Sequence, residues 1–150
     1  KLAALGGSAM VQALALAETG DLLAQAQPEQ GVTYAEKIRK DEAQLDWAQS
    51  AAALVRKSRA LDPFPGCVTS RQTAAGAETL KIWRLEALPA AQPATIGQVQ
   101  AVDASGITIA CGTQGQGRVL ATQLQKAGGK RLPAAQFLAG FALQIGDILY

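Results

Sequence analysis

No histidine occurs in these 150 residues, which removes the side chain that most often serves as a general base near neutral pH. Also missing are H-E-x-x-H, C-x-x-C, a Walker A sequence and G-x-S-x-G, so metalloprotease, thiol-redox, P-loop and α/β-hydrolase chemistry find no foothold. Cysteine is scarce: Cys67 and Cys111 stand 44 positions apart, in no metal-ligand spacing, and the expectation is a reduced intracellular compartment. Charged residues make up only 17% against 49% hydrophobic, which excludes intrinsic disorder and provides for one globular core with an appendage. No apolar run is read as long enough to span a bilayer, and the start KLAALGGSAMVQALALAETG lacks a concentrated basic n-region. The expectation is therefore a cytoplasmic protein with no membrane partner.

What is present is charge in particular places. Residues 1 to 36 hold one basic and four acidic residues, for −3, and residues 37 to 150 hold 13 basic and 8 acidic, for +5. The basic residues gather at Lys37, Arg39 and Lys40, at Arg56, Lys57 and Arg59, at Lys81 and Arg84, and at Lys126 with Lys130 and Arg131. Each cluster alone reads as a solvated face. Together they form the electrostatic footprint of a domain that contacts a polyanion.

Apolar residues Leu2, Leu5, Val11, Leu14 and Leu22 recur at helical spacing from Leu2 to Leu23, with Thr19-Gly20 as a stop. Asp21 to Gln30 is polar and reads as a connector. A second helix is capped by Ser50, buries the stripe Leu54, Val55, Ser58 and Leu61, and ends at Asp62-Pro63-Phe64-Pro65-Gly66. Beyond it, Cys67–Arg71, Thr79–Leu88, Thr95–Val102, Gly106–Cys111 and Arg118–Leu124 are predicted strands. Pro133 opens a short helix, AAQFLAG, before a strand-like ILY. The fold class is mostly β: a five-stranded barrel of the oligonucleotide-binding (OB) type with two short helices, preceded by a separate N-terminal helix and linker.

Within this frame the glycine-rich GTQGQG, Gly112 to Gly117, lies between two strands rather than before a helix and reads as a hairpin turn. Asp41 and Glu42 are adjacent, beside cations, which suits a solvated surface better than an acid/base pair. The strand LKIWRLEAL alternates too imperfectly to place Trp83. A core role for it, as for Trp47, is the expectation, against stacking on a base.

The run Tyr34-Ala35-Glu36-Lys37-Ile38, then Asp46-Trp47, Arg56-Lys57-x-Arg59-Ala60, Asp62-Pro63-Phe64-Pro65-Gly66, Lys81-Ile82-Trp83 and Gly128-Gly129-Lys130-Arg131-Leu132 through Ala135-Gln136-Phe137-Leu138 resembles the C-terminal half of the methionyl-tRNA formyltransferases. The match runs in order along the whole chain. That family often has Asn and Trp where Asp62 and Phe64 stand. Its enzymes transfer a formyl group from 10-formyltetrahydrofolate to the methionine of initiator tRNA, using a catalytic domain with an Asn, His and Asp constellation that has no counterpart here. The resemblance implies a remnant helix of that catalytic domain at 1–20, a linker at 21–40 and an OB-like tRNA-binding domain at 41–150. No catalytic residue or cofactor site falls in this chain, and a start at Lys1 without Met fits a piece of a longer protein.

By resemblance the partners are initiator methionyl-tRNA and the missing catalytic domain. The candidate RNA contacts are Lys37, Arg39, Lys40, Arg56, Lys57, Arg59, Lys81, Arg84, Lys130 and Arg131, with the first three in the linker. Two other readings stay open: the C-terminal domain of a sugar-nucleotide formyltransferase, and a stand-alone RNA-binding module.

Overall fold

In the computed structural model, which describes all 150 residues, Leu2–Thr19 forms helix α1. Gly6 and Gly7 do not break it. Its end is set by Gly20, whose φ of 76° lets its N–H reach Ala17 O while Asp21 N–H reaches Leu16 O, the paired bonds that satisfy a last turn. Leu2, Leu5, Met10, Val11 and Leu14 are exposed. With a mean hydropathy of 1.3, this helix is long and apolar enough to cross a membrane by length and composition, as a soluble core helix can also be. That corrects the expectation that no run reaches such a length: Glu18 is the helix's sole charged residue, and the polar Ser8 and Gln12 are outweighed by the alanines and leucines around them.

The chain divides into two units, Lys1–Glu36 and Lys37–Tyr150. The second begins with a 3₁₀ turn, Lys40–Ala43, where Glu42 accepts from Arg39 N–H at 2.8 Å and Asp41 pairs with Arg39 at 3.0 Å. From its last residue onward Ala43, Leu45 and Trp47 alternate inward, and Leu45 N–H bonds Val68 O. Helix α2, Ala51–Ala60, starts where Ser50 Oγ accepts from Ala53 N–H at 3.3 Å and buries Leu54 and Ser58, with Val55 half-buried. The predicted stripe is the buried one.

Six strands follow: β1 Cys67–Thr73, β2 Gly76–Leu88, β3 Val99–Asp103, β4 Gly106–Cys111, β5 Gly117–Lys126 and β6 Leu132–Pro133, with α3 at Ala134–Leu138. They form one antiparallel sheet in the order β1-β2-β5-β4-β3, with β6 on β5. The five-stranded barrel is therefore corrected to an open six-stranded sheet. Two local features account for this. The third predicted strand begins only at Val99, because Gln98 N–H turns back to Thr95 O and Gly97 takes a φ of 78°. The terminal ILY makes single bridges, Leu149 to Arg71 and Ile148 to Gln98, instead of a ladder. The tail thereby lies between the edges β1 and β3 without closing them. GTQGQG does form the turn between β4 and β5, with Cys111 opposite Gly117.

The core sits on the inner face of the sheet under α2 and α3: Leu80, Ile82, Leu85, Ile107, Ile109, Val119 and Leu124 meet Leu54, Leu61 and Phe137. Trp47 is buried as expected, its Nε1–H donating to Thr69 Oγ1 at 3.0 Å while that hydroxyl donates to Tyr150 O. Both thiols are buried and free. Burial pushes Cys67 up to about 11 from an ordinary 9.0, and raises Cys111 too. The folded state holds the Cys67 proton after the unfolded state has released it, so stability present below pH 9 falls as pH rises toward about 11. The expected slope in that window is a loss of about 1.4 kcal/mol per pH unit for this one group. Chemical denaturation at intervals from pH 8 to 11 checks it, and a flat profile would refute it.

Candidate nucleic-acid interface

The outer face of the sheet is shaped by an irregularity in β2. Ile82 pairs with Leu124 and Arg84 with Gln123, leaving Trp83 as an extra residue. A bulge of this kind re-aims side chains. After Leu80 and Ile82 the next buried residue is Leu85, and Trp83 and Arg84 both line one outer cavity. The imperfect alternation of LKIWRLEAL is this bulge. Trp83 is consequently only half-buried, which corrects the core role expected for it.

The cavity, of about 270 Å³, is lined by Arg59, Asp62, Trp83, Arg84, Gln123 and Arg131. Arg131 is the most constrained of its cations: it forks onto both Asp62 carboxylate oxygens at 2.9 Å, donates through Nε to Gln123 Oε1 at 2.7 Å, and lies 5.0 Å from the Trp83 ring centre. Trp83 is fixed in turn. Its Nε1–H donates to Gln125 Oε1 at 2.8 Å, Lys81 Nζ stands 5.4 Å from its ring centre, and a Cβ on Gly66 would come within 2.8 Å of it. The ring serves as a platform for cations. Arg59 enters none of the ion pairs, and Arg84 meets only the exposed Glu86, at 3.3 Å. Three guanidiniums facing one carboxylate leave an excess of positive charge that suits a phosphate.

The other predicted contacts distribute unevenly. Lys40 and Lys81 line a second cavity of about 270 Å³ with Ala43, Phe64, Pro65 and Val68, and Lys81 is anchored by donating to Pro65 O at 2.7 Å. Lys130 lies beside Lys126 at a smaller cleft of about 100 Å³ near Phe137. Lys37, Arg39 and Arg56 are exposed and lie outside these cavities, while Lys57 donates to Gln44 O at 2.6 Å as part of the packing of α2.

Sequence reasoning missed Asp62, Gln123 and Phe64 at these cavities. Asp62-Pro63-Phe64-Pro65-Gly66 was legible as a helix stop, and an apolar ring between two prolines was the available signal for more. Arg71 was also unassigned; it pairs with Glu78 and Asp147 and lies 4.9 Å from the Phe141 ring centre. Burial opposes its charge, but the hydrogen bonds to Glu78 and Asp147 prevail and raise its pKa above the ordinary guanidinium value. It is a structural clip.

The two thiols are buried and Asp62 is occupied by Arg131.

Residues 37–142 match the formyl transferase C-terminal domain family. Over 149 residues the chain is 53% identical to the methionyl-tRNA formyltransferase of Ralstonia pickettii, covering 97% of this chain and 43% of that protein. It is 52% identical over 148 residues to that of Burkholderia pseudomallei, with 98% and 43% covered, and 46% identical over 151 residues to that of Acidovorax ebreus, with 99% and 45% covered. The chain thus spans less than half the length of these relatives. Among solved structures, HypX from Aquifex aeolicus in complex with tetrahydrofolic acid superposes with a TM-score of 0.54 at 22% identity, over 94% of this chain and 26% of that one. That likeness is one of fold.

Proposed function

The chain belongs to the formyl transferase C-terminal domain family, and on that premise we propose that it is the tRNA-binding part of a methionyl-tRNA formyltransferase. It binds initiator methionyl-tRNA and positions the aminoacyl end for N-formylation by a catalytic domain outside this chain, in the cytoplasm, during translation initiation. Residues 1–20 are the last helix of that catalytic domain and 21–40 the linker. The formyl donor, 10-formyltetrahydrofolate, is handled by the catalytic domain.

The observation that carries the reading is the outward arginine cluster of Arg59, Arg84 and Arg131, on a unit with 13 basic and 8 acidic residues. Such a surface holds a phosphate backbone without reading sequence. Orientation of a reactant can account for much of a rate enhancement, so a domain with no catalytic group still governs turnover.

Charge reversal at Lys37 or at Lys130 is expected to weaken binding about equally for initiator and elongator tRNAs, lowering the salt slope by about one unit per lost phosphate contact. Filter binding at several salt concentrations measures it, and an unchanged slope sinks the assignment of those contacts. The 150-residue chain alone is expected to transfer no formyl group from the folate donor to charged tRNA; detectable transfer overturns the division of labour.

A further inference from the structure

The aromatic ring available to a ligand on this surface is Phe64, not Trp83. Phe64 is 57% exposed between Pro63 and Pro65, whose pyrrolidine rings fix their own φ and restrict the residue before each. The turn therefore restricts the backbone that carries the ring, and little backbone freedom remains to be lost on binding. Trp83, by contrast, already rests against Gly66 and two cations.

Beside Phe64 lies the cavity of about 270 Å³ that it lines with Ala43, Pro65 and Val68 on the apolar side and Lys40 and Lys81 on the charged side. That is just below the range of about 300–1,000 Å³ typical of small-molecule pockets, the size for one flat ring. None of the five ion pairs of the structure involves Lys40. Lys81 connects this cavity to the arginine cluster, because its Nζ also faces Trp83. Asp41 and Glu42, the nearest acids in sequence, are both turned to Arg39.

We propose that Phe64 stacks against one unpaired nucleobase of the bound RNA, with Lys40 holding the phosphate of that nucleotide and Lys81 the next phosphate toward the arginine cluster. An apolar ring flanked by cations fits a nucleotide, whose base offers a π-face and whose backbone supplies the anions. Duplexed bases are stacked on each other and present no free face, so the site takes an unpaired position. The inference rests on the RNA-binding reading, yet it concerns a contact that charge alone does not make.

The test uses the 150-residue chain with three probes: a single-stranded RNA hexamer carrying 2-aminopurine, a fully paired RNA hairpin, and tRNA. Phe64→Leu keeps an apolar side chain and removes the π-face; Phe64→Tyr keeps the face. The expected result is that F64L weakens the hexamer about tenfold, loses the quenching of 2-aminopurine and leaves the salt slope as in wild type, while F64Y retains binding and quenching and the hairpin is affected less than twofold. K40Q is expected to lower the salt slope by about one unit with quenching retained. F64L binding the hexamer within twofold of wild type, with quenching intact, overturns the stacking contact while the RNA reading stands. Wild-type protein that binds none of the three probes, or binds them without salt dependence, overturns the RNA reading itself. Thermal melting of each variant confirms that an exposed position was changed without unfolding.

Discussion

Arg59→Gln combined with Arg84→Gln is expected to weaken tRNA binding about 60-fold at 0.1 M salt and to leave it unchanged near 1 M. Both guanidiniums line the outer cavity, and neither belongs to the Asp62–Arg131–Gln123 network that holds the cavity together. Each neutralised phosphate contributes a slope of about 0.9 in log K against log salt, so losing two lowers the slope by about 1.8. At 0.1 M that equals a drop of about 1.8 in log K, and at 1 M the lines converge. Both side chains are exposed, so stability is expected to stay within about 0.5 kcal/mol of wild type. Parallel salt lines for the double variant and wild type would remove these arginines from the interface. Arg131 is the wrong choice for this test, because its loss also strips Asp62, Gln123 and Trp83 of a partner.

A large expected effect on stability comes from Gly97→Ala, at about 4 kcal/mol, or a fall in melting temperature of about 10–20 °C. Gly97 has a φ of 78°, and a Cβ there would sit 2.1 Å from Leu149 O and 3.3 Å from Trp47 Cδ1. Relief by backbone movement is blocked on both sides: Gly97 N–H bonds Ala110 O and Leu149 N–H bonds Gly97 O, each at 2.9 Å. The left-handed conformation alone costs a non-glycine residue about 1–2 kcal/mol, so the collision supplies the rest. Gly128→Ala separates the two contributions, since Gly128 has a φ of 69° with open space around it. It is expected to lower the melting temperature by only about 5 °C. Melting of the two variants side by side decides the matter; indistinguishable curves would mean that the Leu149 contact yields cheaply.

These two glycines mark what was and was not legible beforehand. Local chemistry read well: the Ser50 cap, the Leu54–Ser58–Leu61 stripe, the GTQGQG turn and the burial of Trp47 each follow from residues close in sequence. Pairing across distance did not. Nothing near Ile148 or Gln98 announces that they are neighbours, so the count of strands suggested a closed barrel. LKIWRLEAL alternates imperfectly but does not say where the bulge falls, since the shift depends on how Gln123 and Leu124 sit on the facing strand. The arginine cavity suffers the same blindness: Arg59, Arg84 and Arg131 were each visible as charge, but their convergence, and the Asp62 that orders Arg131, exist only after α2, β2 and the segment before β6 have come together.

The tail between the two sheet edges bears on how the chain is made. Asp147 grips Arg71 across 76 positions, and Leu149 and Tyr150 bond Gly97 and Ser70. Residues 147–150 follow β5 in the chain, so until they dock Ser70 in β1 and Gly97 just before β3 lack these N–H and C=O partners. Exposed edges of that kind recruit other strands, and contacts this distant in sequence form late. Docking of residues 147–150 supplies single bridges there, which shortens the unpaired stretch of each edge without removing it.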